Sequence, residues 1–279
     1  MYKKIYFAIC MILFLISSAF AASFEKHEKN FALFENSIID VANKITWSGK
    51  HNFQDVEFVE NEMEGDETVY ARAWYDDYYL VIRKYTNKTW SKSFALGFWT
   101  SSEELTFAKG IKVGSSINDV KAFFGKKHVS QQSPSSKKYN VYRVSESDTA
   151  GQIVFSTENN RITSIGYENW YNMTSKMSFL FSLYVNLTFA EVTGEKVNVR
   201  DYFPKGEVLF QVNRSKKDYL LVDAEYPGNG WCYVKGKINH NLLKPILRSC
   251  YISKQFLKIR ELSISERKLF LSQYIKSKK

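Results

Sequence analysis

The chain has 279 residues, 44% of them hydrophobic and 16% aromatic, with 39 Lys and Arg against 29 Asp and Glu, a formal net charge of +10. That length accommodates two domains, each with its own core. The basic balance suits an anionic polymer or lipid surface, or simply a solvated basic face, and with no reading motif beside it a nucleic-acid partner is left without support.

The N-terminus runs Met1-Tyr2-Lys3-Lys4, then apolar from Ile5 to Ile16, then Ser17-Ser18-Ala19-Phe20-Ala21. A basic start, a short apolar core and an Ala-x-Ala end are the expected pattern of a cleavable secretory signal over residues 1–22, the competing reading being an uncleaved N-terminal anchor. The mature chain then begins near Ala22 or Ser23. The apolar run is too short for a comfortable membrane span. Cys10 has no small residue before it, which argues against lipid anchoring.

Residues 24–45 are expected to form a helix. Phe31, Phe34, Ile38, Val41 and Ile45 recur at the three- and four-residue spacing of an amphipathic stripe. The period then shortens. Phe53–Val59, Thr68–Tyr75, Tyr78–Tyr85 and Ser93–Thr100 are strand-like, with Asp76-Asp77 a tight turn. Six acids lie in Glu57–Glu67 without a base. Lacking a His or Ser partner, they are a solvated face rather than an acid–base pair.

The segment Thr106–Gly125 holds a second helix. Gly114 supplies a turn, Ser116 and Asp119 a capping box, Ile117, Val120 and Phe124 the apolar stripe, and Gly125 the C-cap. Tyr139–Ser145, Gln152–Thr157 and Arg161–Tyr167 follow as strands, the last two joined at Glu158-Asn159-Asn160. Residues 24–170 therefore make an α+β domain with an antiparallel sheet. The Gly-x-x-x-Gly-Ser-Ser…Val…Phe-Gly helix followed by strands resembles secreted β-lactamase-inhibitor-like and outer-membrane-assembly-lipoprotein-like α+β modules. Lys126-Lys127 stands where those modules often carry Pro.

Residues 168–190 link the halves. Met177–Ala190 is uncharged but too short and polar to span a membrane, and its end, Leu187–Val192, opens a new set of strands. From Val197 to Leu257 the chain alternates short apolar runs with Gly, Pro, Asn, Asp and Lys. Strands this short over about sixty residues suggest a small barrel. The tail over 263–276 is a helix, capped by Ser263 and Glu266, with Leu269, Phe270, Gln273 and Tyr274 along one side and Lys276, Lys278 and Lys279 at its end. It either docks on the barrel or lies on a membrane surface.

The region 187–260 resembles the bacterial Src-homology-3-type domain. The matching words are Val-Asn-Val-Arg at 197–200, Gly-Trp-x-x-Val at 230–234, and Tyr251-Ile252-Ser253-Lys254-Gln255-Phe256-Leu257. The resemblance implies a non-catalytic exported envelope protein, periplasmic or secreted, that binds a cell-wall peptide or a protein partner. Residues alternate faces along a strand. If Val197, Val199, Cys232 and Val234 face the core, Asn198, Arg200, Trp231 and Tyr233 face out. In the resembled family the loop after the first of these strands borders a groove, so Tyr202, Trp231 and Tyr233 would form an aromatic shelf beside Arg200, which can grip a carboxylate. The competing reading has Asn198 and Arg200 tying down loops and Trp231 packing half-buried. An even cysteine count in an exported chain favours one disulfide. The family's strand pairing implies Cys232–Cys250.

No hydrolase elbow, zincin motif, dinucleotide fingerprint or phosphate loop occurs, so the chain is expected to be neither an enzyme nor a binder of metal or cofactor. His27, His51, His128 and His240 lie too far apart for metal-ligand spacing and are expected on surfaces or loops. The alternative function, suggested by the first domain's resemblance, is a periplasmic inhibitor or immunity-like protein that blocks an extracytoplasmic enzyme.

Overall fold

The computed structural model describes residues 2–47, 53, 55–60, 67–75, 77–85, 94–131, 139–145, 151–169, 183, 187–223, 230–239, 241–246 and 248–276. The first helix, α1, spans Tyr2–Trp47 and contains the expected helix as its second half. Phe31, Phe34, Ile38 and Ala42 are fully buried, with Val41 and Ile45 packed at the margin. The stripe buries because its spacing follows the 3.6-residue turn.

Eight antiparallel strands make the first sheet: β1 Asp55–Glu60, β2 Glu67–Trp74, β3 Tyr78–Tyr85, β4 Phe94–Thr100, β5 Val129–Gln131, β6 Tyr139–Ser145, β7 Gly151–Glu158 and β8 Arg161–Asn169. Their order is β1-β2-β3-β4-β8-β7-β6-β5. The chain meanders through four strands, crosses by α2 (Ile117–Phe124) to the far edge, and meanders back to lay β8 beside β4. Between β7 and β8, Asn159 (φ 50°) and Asn160 (φ 64°) take the left-handed conformation of a two-residue hairpin turn. The expected cap on α2 is present: Ser116 Oγ accepts from Asn118 N at 3.2 Å, and Asp119 Oδ2 accepts from Ser116 N at 3.1 Å. Asp76 and most of the acidic run, residues 61–66, lie outside the described residues.

One face of this sheet packs on both helices. Phe34 and Phe124 meet at 5.5 Å between ring centroids, over Phe155 and Phe98. Tyr167 Oη donates to Glu35 Oε1 at 2.6 Å, and Asn30 Nδ2 donates to Phe123 O at 2.6 Å. The opposite face also carries apolar residues, including Tyr79, Val81, Leu96 and Trp99. Double coverage explains why β7 is buried at seven consecutive positions, with no alternation.

The second sheet holds β9 Leu187–Val192, β10 Val197–Arg200, β11 Val208–Val212, β12 Tyr219–Asp223, β13 Trp231–Asn239, β14 Leu242–Pro245, β15 Tyr251–Ser253 and β16 Leu257–Glu261. Its order is β11-β10-β15-β13-β12-β9-β16, with β14 hairpinned on β13. All pairs are antiparallel. The expected closure into a barrel is not found: β11 and β16 end the path, and no described pairing joins them. The sheet curls instead around Ala190, Val192, Val199, Val222, Val234 and Ile252. Strand β13 also runs five residues past the expected Val234, to a turn at Asn241 (φ 62°).

The last helix, α3, spans Ile264–Lys276 with the expected Ser263 cap. It docks between the sheets rather than on the second sheet alone. Phe270 and Leu271 share one core with Tyr79, Trp99, Leu221 and Ile238. Leu269, expected on the apolar side, is exposed, whereas Arg267 is buried with its guanidinium 4.9 Å from the Trp99 ring centre. Among the described residues no helix is long and apolar enough to cross a membrane.

Candidate functional site

Strand β13 alternates as expected over its first half: Cys232 and Val234 are buried in the second sheet's own core, while Trp231 and Tyr233 are half-buried on the opposite face. A register shift opposite Leu221 and Val222 leaves Lys235 without a β12 partner, and beyond it Ile238 turns into the layer shared with Trp99 and Phe270. On β10, Val197 and Val199 are buried, and Asn198 and Arg200 face outward. The loop after β10 is folded tightly at Gly206, where a Cβ would collide with the Tyr202 backbone. Gly206 N donates to Tyr202 O at 3.0 Å, and Arg200 Nη1 donates to Gly206 O at 2.6 Å. Arg200 thus ties down the loop, as the competing reading expected. It also lines a pocket of about 300 Å³ with Glu195, Asn198, Pro204, Trp231 and Gln255. Asn198 Oδ1 accepts from Gln211 Nε2 across the hairpin, at 2.9 Å.

The loop presents Tyr202, 65% exposed, stacked on Phe203 at 5.3 Å and 21°. Phe203 lies 6.1 Å from Trp231 and 5.2 Å, edge-on, from Tyr251. Tyr251 then meets Tyr233 at 5.3 Å. The expected shelf of Tyr202, Trp231 and Tyr233 therefore exists only through Phe203 and Tyr251, which sequence reasoning left out. Tyr251 was recoverable: with Ile252 inward, its neighbour must face out, and register pairs it with Tyr233.

Tyr233 itself belongs to a second pocket, of about 310 Å³, lined by Asp223, Tyr233, Lys235, Ser249 and Tyr251. Lys235 Nζ rests 4.0 Å above the Tyr233 ring, and Tyr233 Oη hydrogen-bonds Ser249 Oγ at 3.2 Å. Behind Asp223 stands a polar cluster from the first sheet. Arg143 Nη1 donates to Gln152 Oε1 at 2.7 Å, and Gln152 Nε2 donates to Glu168 Oε2 at 3.1 Å. Burial pushes the Asp223 carboxyl above the usual carboxylate range, while the charges of Arg143 and Lys235 pull it back.

The expected Cys232–Cys250 disulfide is not formed. Both residues are inward-facing, as expected, but are free buried thiols. Register sets Cys232 opposite Ile252, and Cys250 Sγ donates to Val234 O at 3.4 Å. Burial pushes both thiols up to about 11. Two histidines also depart from expectation. His27 is 2% exposed and stacks on His128 at 3.9 Å and 6°, with its Nε2 3.0 Å from Ser145 O. Burial, His27 and Lys127 all lower the His128 pKa. His51 and His240 lie outside the described residues. Among the described residues, no cluster of His, Cys, Asp and Glu could hold a metal ion.

No protein-family model, curated protein or solved structure matches this chain.

Proposed function

We propose that the second sheet is a Src-homology-3-type binding module, and that the chain is a non-catalytic exported protein whose module grips a cell-wall peptide or an envelope protein. The observation that carries this reading is the outward aromatic ridge Tyr202–Phe203–Tyr251–Tyr233, with Trp231 beside Phe203 and pockets along it. Aromatic rings on an outer sheet face offer apolar area at little entropic cost, which is the composition of binding hot spots. Arg200 and Lys235 lie at the two pockets, and each can pair a ligand carboxylate. A small curled antiparallel sheet with loop-borne aromatics agrees with the resemblance at 197–200, 230–234 and 251–257.

Retention on purified peptidoglycan tests the reading. Trp231→Ala and Tyr202→Ala are expected to weaken binding about 10- to 30-fold, the cost of losing a hot-spot aromatic. Tyr202 is mostly exposed, so the fold loses little. If both variants keep the wild-type affinity, this face is not the site. Export is tested separately by N-terminal sequencing of protein from the native host. Cleavage after Ala21 or Ala22 is expected; an intact Met1 on the mature protein overturns it. The packed stripe Phe31, Phe34, Ile38 and Ala42 lies beyond that cut, so cleavage leaves it in place.

A further inference from the structure

The pocket beside Arg200 exists because a strand ladder stops early. Strands β10 and β15 pair only at Arg200 and Tyr251. In that register the next facing residues are Asn198 and Ser253, and they do not pair. The pocket of about 300 Å³ opens at that point, lined by Asn198 and Ser253, and beyond them by Lys196 and Gln255. Main-chain groups of successive residues in a strand point to opposite sides. Val234 N donates to Cys250 O and Lys254 N to Gly230 O, so those residues of β15 and its extension are committed to β13. Ser253 therefore turns the other way, towards β10. Asp201 N donates to Glu207 O, which commits Asp201 to β11 and turns Arg200 and Asn198 towards β15. The main-chain groups of Asn198 and Ser253 face one gap from its two sides, with no ladder bond between them.

This slot is closed at one end and open at the other. It closes where Arg200 and Tyr251 join the strands, and opens past Lys196 and Gln255. A chain running through it would have to part that pair; a chain end need not. The Arg200 guanidinium stands at the closed end. Gly206 O takes one of its five donors, and among the described residues no carboxylate pairs with it. Glu195, the acid lining the pocket, is engaged by Ser215 N and Ser215 Oγ, at 2.9 Å each. Lys196 and Arg200 thus leave the slot cationic. Trp231 and Pro204 add an apolar wall. This chain's own end, Lys278-Lys279, brings like charge to that slot and does not suit it.

We propose that this slot binds the free carboxyl end of another protein, which enters in extended form between β10 and β15. The terminal carboxylate meets Arg200 at the closed end. The last peptide group bonds the main chain of Asn198 and Ser253, as in strand addition to an open sheet edge. Trp231 packs on the last side chains, and Lys196 favours an acidic residue at the mouth. Main-chain bonding of this kind needs L-residues, since D-residues favour the mirror-image backbone. A wall stem, which alternates L- and D-residues, breaks the pleat. The proposal rests on the reading of the second sheet as a binding module, and it selects the envelope protein over the wall peptide as the occupant of this slot.

Selection by the full mature chain tests this, from a library of short L-peptides tethered by their amino ends and randomised at their carboxyl ends. A consensus with an acid just upstream of the terminus is expected. The selected peptide is then labelled and followed by fluorescence polarisation as its acid, as its amide, and N-methylated at the last peptide bond. Amidation and N-methylation are each expected to weaken binding about tenfold or more, one removing a charge-assisted pair and the other a main-chain donor. Ser253 carries the sharper test. Its φ of −69° is one that proline adopts, and its N–H faces the gap rather than β13. Ser253→Pro therefore takes a donor from the slot and none from the fold. It is expected to weaken binding about tenfold or more, whereas Ser253→Ala, which keeps the N–H, binds as the wild type does. Thermal melts check that both variants fold. Selection without a consensus, equal binding of acid and amide, or equal binding by Ser253→Pro and Ser253→Ala overturns the proposal. A stem pentapeptide ending in D-alanyl-D-alanine that binds more tightly than the selected peptide overturns the protein source. If Trp231→Ala and Tyr202→Ala lose peptidoglycan retention while no peptide end binds, the wall reading stands and this proposal falls.

Discussion

Cys232 and Cys250 show how a single residue of register decides chemistry. Both point into the same core; Cys232 lies on β13, and Cys250 immediately precedes the neighbouring β15. Yet Cys232 is opposite Ile252, and the Val234 N–H donates to Cys250 O at 2.8 Å, so Val234 is the residue facing Cys250. Diagonal neighbours on a sheet lie about 7–8 Å apart, whereas a disulfide needs Cβ atoms about 3.5–4.5 Å apart. The thiolate is the reactive form, and burial holds both thiols near 11, so the folded protein should alkylate slowly at neutral pH. Brief treatment of the native mature chain with iodoacetamide is expected to label neither cysteine. After denaturation without reductant, mass spectrometry is expected to find two labelled sites. An unlabelled chain two hydrogens lighter would show the bond instead. At this scale the sequence discloses facing but not partnering. Alternation alone placed Trp231 and Tyr233 outward and Cys232 and Val234 inward. It could not bring Arg143 of one sheet to Asp223 of the other, eighty residues away, nor stack His27 on His128.

Helix ends are the elements that local chemistry determines most completely, and α3 offers a clean test. Ser263 N donates to Glu266 Oε2 at 2.9 Å, and Glu266 N donates to Ser263 Oγ at 3.3 Å. Arg260, at the end of β16, grips the same carboxylate with two donors, at 2.6 and 2.8 Å. The Arg260 hydrogen bonds, then those from Ser263, overcome partial burial and hold the Glu266 carboxyl at about 2. A depressed carboxylate stabilises the fold above its unfolded pKa and loses that contribution as pH falls through the folded value. The loss therefore runs from about pH 4.5 down to about 2. Glu266→Gln is expected to cost about 1 kcal/mol at pH 7, from a weakened cap and a lost ion pair. Urea midpoints of the two proteins should converge as pH approaches 2; a constant gap would place the effect elsewhere. Both capping boxes and the Asn159-Asn160 turn were legible because each depends on four or five adjacent residues. Strand β14 was not: Leu242-Leu243-Lys244-Pro245 is short and ends in Pro, and it is held by β13 and by Gln273 Oε1 accepting from Leu243 N. The apolar side of α3 was also misplaced, because a helix set between two sheets buries Arg267 against Trp99 and leaves Leu269 in water.

The two sheets do not stand as separate cores. Tyr79, Val81 and Trp99 from the first, Leu221 and Ile238 from the second, and Phe270 and Leu271 from α3 form one buried cluster. Arg267 Nη2 donates to Glu261 Oε1 at 2.9 Å while its guanidinium lies over Trp99, so α3 is fastened to β16 and to the first sheet together. Each half alone would expose one apolar face of its sheet to water, and that cost couples their stabilities. Phe270 is 2% exposed at the centre of this layer. Phe270→Ala deletes a buried ring and is expected to cost about 3–5 kcal/mol. If the layer is shared, that loss lowers the midpoint of both sheets, and the mutant unfolds in one transition. Trp99 reports on the first sheet and Trp231 on the second, so single-tryptophan variants followed by fluorescence read the two separately in urea. Coincident midpoints, displaced together by Phe270→Ala, are the expected result. A mutation that moves the Trp231 midpoint alone would mean that α3 stabilises only the second sheet, and that the two halves fold independently.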